Sequence, residues 1–383
     1  MVPDHGAEPP VAHVLAVGDD PEGAALLREP AGLTGVRMSG GLLRTGDRIC
    51  MMQTGALYGV DRIGVFRLDP SSLLPVHDSD QALEHPVSAL AVSSADALLF
   101  AAAASGDTLR SFSIGSGGGS IPAGRLTPAA SLVHGNFAAA SDLALAVADG
   151  QLYLASPATA SVSKIDYTAT TLVYDTAWTD VAGSDLATDP FAARTRLALA
   201  PDGEHLLIAS GGNAGAPVHV VVQMRRDSEG LLSYEASIDR ALDGVLAAGT
   251  PGDELLVTPD GRHLLLASGT DDGPPLQVLS RRAPDPLFAL IEVDRNGEAA
   301  TTGMLAPTDV AVSPDGEYVY AVSIAEGALA VFKRNDTLGF SDDTAGQHLE
   351  FVAAYIEGEG GINGLYKANR VRVSPDGNSV FVT

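Results

Sequence analysis

The stretch Asp309-Val310-Ala311-Val312-Ser313-Pro314-Asp315-Gly316-Glu317-Tyr318-Val319-Tyr320-Ala321-Val322-Ser323 decides the fold. It is two apolar runs joined by Pro-Asp-Gly. Proline presets the φ that a turn needs, aspartate can bond the backbone ahead of it, and glycine takes φ > 0 at little steric cost. The two runs therefore read as strands folded back on one another. The short form returns as Ala200-Pro201-Asp202-Gly203, Thr258-Pro259-Asp260-Gly261 and Ser374-Pro375-Asp376-Gly377, with degenerate copies upstream. The residues at the turn-glycine place are Gly41, Ala97, Gly150, Gly203, Gly261, Gly316 and Gly377, and they recur every 53 to 61 residues. The chain thus reads as seven units of near-constant length.

Each complete unit holds about four short strands, as in 309–313, 317–323, 328–334 and 349–355. A lone sheet of this size cannot cover both its faces, whereas radial stacking buries each sheet against its neighbours. The expected fold class is all-β, a seven-bladed β-propeller; long amphipathic helical patterns are absent. After Asn378-Ser379-Val380-Phe381-Val382-Thr383 the last unit is two strands short, so as written it is a truncated blade. Two apolar runs near the start, Val11 to Val17 and Ala24 to Leu27, are placed to supply those strands and close the ring, leaving no open edge. Residues 1–10 are polar and Pro-rich and are expected to be disordered, with 11–383 forming a single domain.

Hydrophobic residues make up 45% of the chain and charged ones 19%, enough apolar material for a large core. The formal net charge of −25 comes from 48 acids against 23 bases. So acidic a surface repels phosphate backbones and anionic lipid, which disfavours nucleic acid and membrane surfaces as partners. Cys50 lies in the apolar run Ile49-Cys50-Met51-Met52, has no second cysteine to pair with, and is expected to be an inert buried thiol. The first residues show no signal-peptide pattern and no run is long enough for a spanning helix. The expectation is a soluble monomer, cytoplasmic by default, or extracellular if an upstream segment is missing. Zinc and calcium spacings are not seen; Asp271-Asp272 and Asp342-Asp343 read as solvated turns and Gly115 to Ser120 as a loop, so neither metal nor cofactor is expected.

Aligning the units on their turns brings Gly35, Ala89, Asp142, Arg196, Glu254, Asp309 and Arg370 to one place, the start of the innermost strand. In a propeller that strand lines the central channel, so these side chains should ring one mouth. Such a ring suits a small polar or anionic ligand; the blander alternative is an internal salt-bridge ring that plugs the channel with water. Arg37 and Arg372 hold the second inner position in units that adjoin after closure. Two neighbouring cations repel unless an anion, or acids such as Asp309 or Asp142, lies between them. His205 and His263 follow turn glycines and are expected to be exposed strand residues. Trp178 lies in the long connection before the fourth unit, where it could cap a blade or line a pocket.

The unit from Val310 to Val322, followed by Ala328-Leu329-Ala330-Val331-Phe332-Lys333-Arg334, resembles the lactonase-type seven-bladed propellers and their surface-layer relatives with YVTN repeats. Gly360-Gly361-Ile362-Asn363-Gly364-Leu365, leading to Val371-Arg372-Val373-Ser374-Pro375-Asp376-Gly377, adds to the match, which covers about residues 190–383. The resemblance implies the propeller fold and, in its sugar-lactonase members, His, Arg and Glu side chains at the channel mouth with a His-x-His-like element before one blade. No His-x-His occurs in this sequence; the nearest candidate is His134 in Val133-His134-Gly135-Asn136. On that implication His134 or Glu254 would be the base and Arg196 and Arg370 the electrophilic clamps. Two function classes follow: a binding scaffold taking a small polar or anionic ligand, or a protein partner on its rim, and a hydrolase of a sugar-acid lactone resembling a 6-phosphogluconolactonase.

Overall fold

The computed structural model describes residues 13–16, 25–27, 36–37, 44–45, 48–53, 62–68, 75–85, 87–93, 95–115, 125–179, 195–210, 220–239, 254–267, 276–281, 288–297, 300–335, 348–373, 377 and 379–382; before residue 81 it is, apart from Ile63 and Val65, a description of backbone alone. The expected disorder of residues 1–10, both acidic pairs, residues 116–120 and the side chain of Cys50 lie outside what is described.

Among the described residues there are seven antiparallel sheets, here called blades and numbered along the chain. Blade three runs outward through Asp142–Ala146, Gln151–Ser156, Ser161–Tyr167 and Leu172–Trp178. Blade four holds Thr195–Leu199, His205–Ser210, Val220–Arg226 and Leu232–Asp239; blade five holds Glu254–Val257, His263–Ala267, Leu276–Arg281 and Phe288–Asp294. Blade six is Pro307–Val312, Tyr318–Ser323, Ala328–Arg334 and Leu349–Ile356. Blade two begins with Val87–Ser93 and ends with Leu126–Val133, and blade one begins with Val36–Arg37. Blade seven is composite. Val371–Val373 and Ser379–Val382 come from the end of the chain, and His13–Ala16 and Ala25–Leu27 from its start. The register is Val14 opposite Phe381 and Leu15 opposite Val380, so the two termini are hydrogen-bonded into one sheet.

The Pro-Asp-Gly turn forms as its residues dictate. Gly316 sits at φ +79° and donates its N–H to Ser313 O at 2.8 Å, while Asp315 Oδ1 accepts from Glu317 N at 2.9 Å. The second strand that follows is buried at nearly every residue, as in Tyr318–Ser323, because a neighbouring blade covers each of its faces. Outermost strands are more open: in Leu126–Val133 only the first residue is buried. In six blades the third and fourth strands share a register shift at the same place, for example between Val331 and Phe332, and a bulge there adds to the blade's twist.

The apolar core lies in the seams between blades. Phe100 and Tyr167 pack edge to face at 4.7 Å between blades two and three, and Phe332 and Phe351 at 5.8 Å near the seam between five and six. Trp178 ends the outermost strand of blade three and packs on the cluster between blades three and four. No helix among the described residues is long and apolar enough to cross a membrane.

Candidate functional site

The innermost strands of blades three to seven begin on one face of the molecule, and there Asp142, Arg196, Glu254, Asp309, Arg370 and Arg372 form a linked charged system. Two seams carry the same motif. At the seam of blades three and four, Asp142 Oδ1 accepts from Leu143 N at 2.9 Å and Oδ2 from Leu197 N of the next blade at 2.8 Å. Arg196 reaches back, donating Nη1 to Ser141 O at 2.9 Å. At the seam of blades six and seven, Asp309 Oδ1 accepts from Val310 N at 3.0 Å and Oδ2 from Val371 N at 2.7 Å, and Arg370 Nη1 points to Thr308 O at 3.4 Å. Ser141 and Thr308 extend the parallel by donating to Thr195 O and Asn369 O. Each aspartate therefore spans its seam.

Glu254 of blade five stands between these motifs. Its Oε2 lies 3.8 Å from Arg196 Nε and its Oε1 3.5 Å from Arg372 Nη2. Arg372 also donates Nη1 to Asp309 Oδ2 at 2.7 Å. Burial, only partly offset by Arg196, pushes the Asp142 carboxyl up to about 6, and burial against Arg372 does the same for Asp309. In both cases Glu254 adds to the upward push. Arg370 stands apart: among the described residues its guanidinium reaches the carbonyls of Thr308 and Asn369, at 3.4 and 3.3 Å, and no described carboxylate is within ion-pair distance of it. It is the least neutralised cation of the group.

His134 is not brought to this ring. It caps a short 3-10 turn, Gly135–Phe137, accepts from Asn136 N on Nδ1, and stacks on Tyr174 of blade three's outermost strand with ring centroids 3.7 Å apart. Both neighbours hold it at the outer edge of the seam between blades two and three. Arg37 lies in the strand Val36–Arg37, but its side chain is outside the described residues, as is Gly35. Ala89 is buried on the innermost strand of blade two and brings no charge.

The expectation that His263 is exposed is corrected. It is 3% exposed, because Arg334 of the next blade covers it and donates Nη1 to its Nδ1 at 3.1 Å. His205 is mostly covered, between Asp202 Oδ2 at 2.8 Å and Glu235 Oε2 at 3.2 Å. Arg334 and its counterpart Arg226 were not anticipated, although both end a third strand at the same place in the repeat. Among the described residues no group of three or more His, Cys, Asp or Glu side chains could hold a metal.

No family model matches the chain. Its structure is similar to that of a putative 6-phosphogluconolactonase from Bacteroides uniformis, with TM-score 0.62 and 13% identity over 91% of this chain and 99% of that one. It is similar also to a periplasmic gluconolactonase of Pseudomonas aeruginosa, with TM-score 0.63 and 16% identity over 90% and 96% of the two chains. The β-propeller domain of Myceliophthora thermophila Cps50 (Swd1) matches with TM-score 0.59 and 14% identity over 91% and 95%. The fold is a β-propeller, similar to those of these proteins. At these identities the likeness carries the fold and leaves the chemistry to the residues of this chain.

Proposed function

We propose that this lactonase-like propeller is a single closed ring of seven blades whose charged mouth binds a small anionic ligand, a carboxylate or a phosphate, without transforming it. The observation that carries the reading is Arg370, a guanidinium at the mouth supported only by long contacts to carbonyls while Arg196 and Arg372 already face acids. An anion arriving there gains charge-assisted hydrogen bonds at little cost to existing pairs. Calorimetry with phosphate, gluconate and 6-phosphogluconate on the parent and Arg370→Ala tests it. A tenfold or greater loss of affinity in the variant is expected, and equal binding would overturn the reading.

A second reading, hydrolysis of a sugar-acid lactone, is favoured by Glu254 between two arginines on a lactonase-like fold. Glu254 would activate water and Arg196 and Arg370 would steady the oxyanion. Both oxygens of Glu254 face cations, and His134 is held at the outer edge of its seam, so the binding reading is preferred. Release of acid from a gluconolactone by the parent but not by Glu254→Gln would reverse that order.

A further inference from the structure

On the opposite face of the blades from the mouth, two seams are closed by one device. The last residue of a third strand is an arginine that folds back across its own turn to the turn of the preceding blade. Arg226 of blade four reaches Gly203 O within its own blade, then Asp149 Oδ2 at 2.5 Å, Gln151 Oε1 at 2.6 Å and Tyr153 Oη at 2.7 Å in blade three. Arg334 of blade six reaches Gly316 O at 2.6 Å, then Asp260 Oδ2 at 2.7 Å and His263 Nδ1 at 3.1 Å in blade five. Gln151 and His263 are the same position of the repeat, since each pairs with the penultimate residue of its third strand, Asp166 and Ser280. One seam presents an amide oxygen to its arginine. The other presents an imidazole nitrogen.

We propose that the seam between blades five and six is an acid-released latch and that His263 is its trigger. Arginine only donates, so Nδ1 of His263 must accept, which fixes the ring as neutral with its proton on Nε2. Protonation removes that acceptor and puts a second cation against Arg334. The groups facing the imidazole are Asp260 and Arg262 from its own turn, and Arg334 and His348 from blade six; the His348 ring lies 5.6 Å away. Glu292 of blade five's outermost strand accepts the backbone N–H groups of His348 and Leu349 at 2.7 and 3.2 Å and extends the polar network, with Asp294 beside it. His348 Nδ1 is buried with no hydrogen-bond partner among the described residues, so the network has little slack for a further charge. Burial first, then Arg334 and His348, hold the His263 imidazole down at about 4.

The sign follows. A histidine depressed from 6.5 to about 4 stabilises the seam above pH 6.5, and that contribution is lost as pH falls through the folded value. Asp260 gives no relief, because hydrogen bonds from Thr258 and Arg334 outweigh its burial and hold it near 2.

The test is native-state hydrogen exchange of the full chain at about pH 7 and about pH 4.5, corrected for intrinsic rates. Amides of His263 to Ala267, Arg334 and Leu349 are expected to lose protection on the order of tens of fold more than those of Gln151 to Ser156 and Arg226. His263→Gln, which copies Gln151, is expected to abolish the excess while keeping the seam closed. Parallel loss at both seams, or an unchanged excess in His263→Gln, would overturn the proposal. Should that variant fail to fold, the His263 ring titrated by NMR in the parent decides: a midpoint near 4 to 5 supports the latch, and one at 6 or above removes it.

Discussion

Aspartates close seams at both ends of the blades, and they do so in opposite electrostatic states. At the mouth, Asp309 is fully enclosed and Asp142 half-buried, and both use their oxygens on the backbone of the next blade. At the turn face, Asp149 and Asp260 are partly exposed, with 44% and 30% of their side-chain surface open, and wait for an arginine to come to them. Burial raises the first kind, and for Asp260 the hydrogen bonds win and lower it. The difference teaches that enclosure decides the balance: at Asp309 burial outweighs even the Arg372 ion pair, whereas at the partly open Asp260 the hydrogen bonds of Thr258 and Arg334 outweigh burial.

Removing an acid at the mouth should therefore hurt most. Asp309→Ala takes from Arg372 the nearer of its two acidic partners and leaves the N–H groups of Val310 and Val371 without this acceptor in a buried place. The expected loss is about 3–5 kcal/mol by urea denaturation. At the turn face the corresponding break is on the cation. Arg226→Leu frees Gln151 and Asp149, but Tyr153 keeps its bond to Gly230 O at 2.6 Å and Asp149 can turn to water. About 2–3 kcal/mol is expected from the same measurement. A smaller loss for Asp309→Ala than for Arg226→Leu would break the comparison.

The pH profile separates the two ends further. Asp142 and Asp309, raised to about 6 in the folded chain, contribute stability below the unfolded value of 3.8 that is lost as pH rises through 6. His263 opposes them in the same window, so each variant must be compared with its parent. Between about pH 4.5 and 7, Asp142→Asn and Asp309→Asn should each remove a fall of about 2 kcal/mol in denaturation stability. The same titration leaves the mouth more positive in acid. Binding of an anion through Arg370 should tighten as pH falls from 7 to 5, and in the double Asn variant it should not.

How much of this was legible in the sequence depends on how far apart the interacting residues lie. The Pro-Asp-Gly period was local, so it placed the strands, and it carried Asp142, Arg196, Glu254, Asp309 and Arg370 to one register position without any knowledge of contacts. The pairing of Val14 with Phe381 was also within reach, because the last unit lacked two strands and the start of the chain had two to spare. What was not legible is what one unit does to the next. The burial of His263 depends on Arg334, 71 residues away, and the role of Asp260 beyond its own turn depends on the same side chain. A signal existed: Arg226 and Arg334 both close a third strand one unit after a turn aspartate. His134 illustrates the reverse case, where a residue type suggested by resemblance is held at the periphery by its neighbours, here Tyr174 and Asn136.

The mildest break sharpens the comparison most, because it isolates the exposed acid. Asp149→Ala removes the carboxylate from Arg226 while Gln151, Tyr153 and the Gly203 carbonyl all remain as acceptors around the guanidinium. The side chain removed is nearly half in solvent, where water and salt screen the pair and little desolvation is recovered. The expected cost is at most about 1 kcal/mol, and it should shrink further in molar salt. Asp309→Ala should keep its full cost in the same salt, since the pair it breaks is enclosed. If Asp149→Ala proved as damaging as Asp309→Ala, or as insensitive to salt, then exposure would not be what distinguishes the two ends, and the cation alone could not be said to hold the turn face.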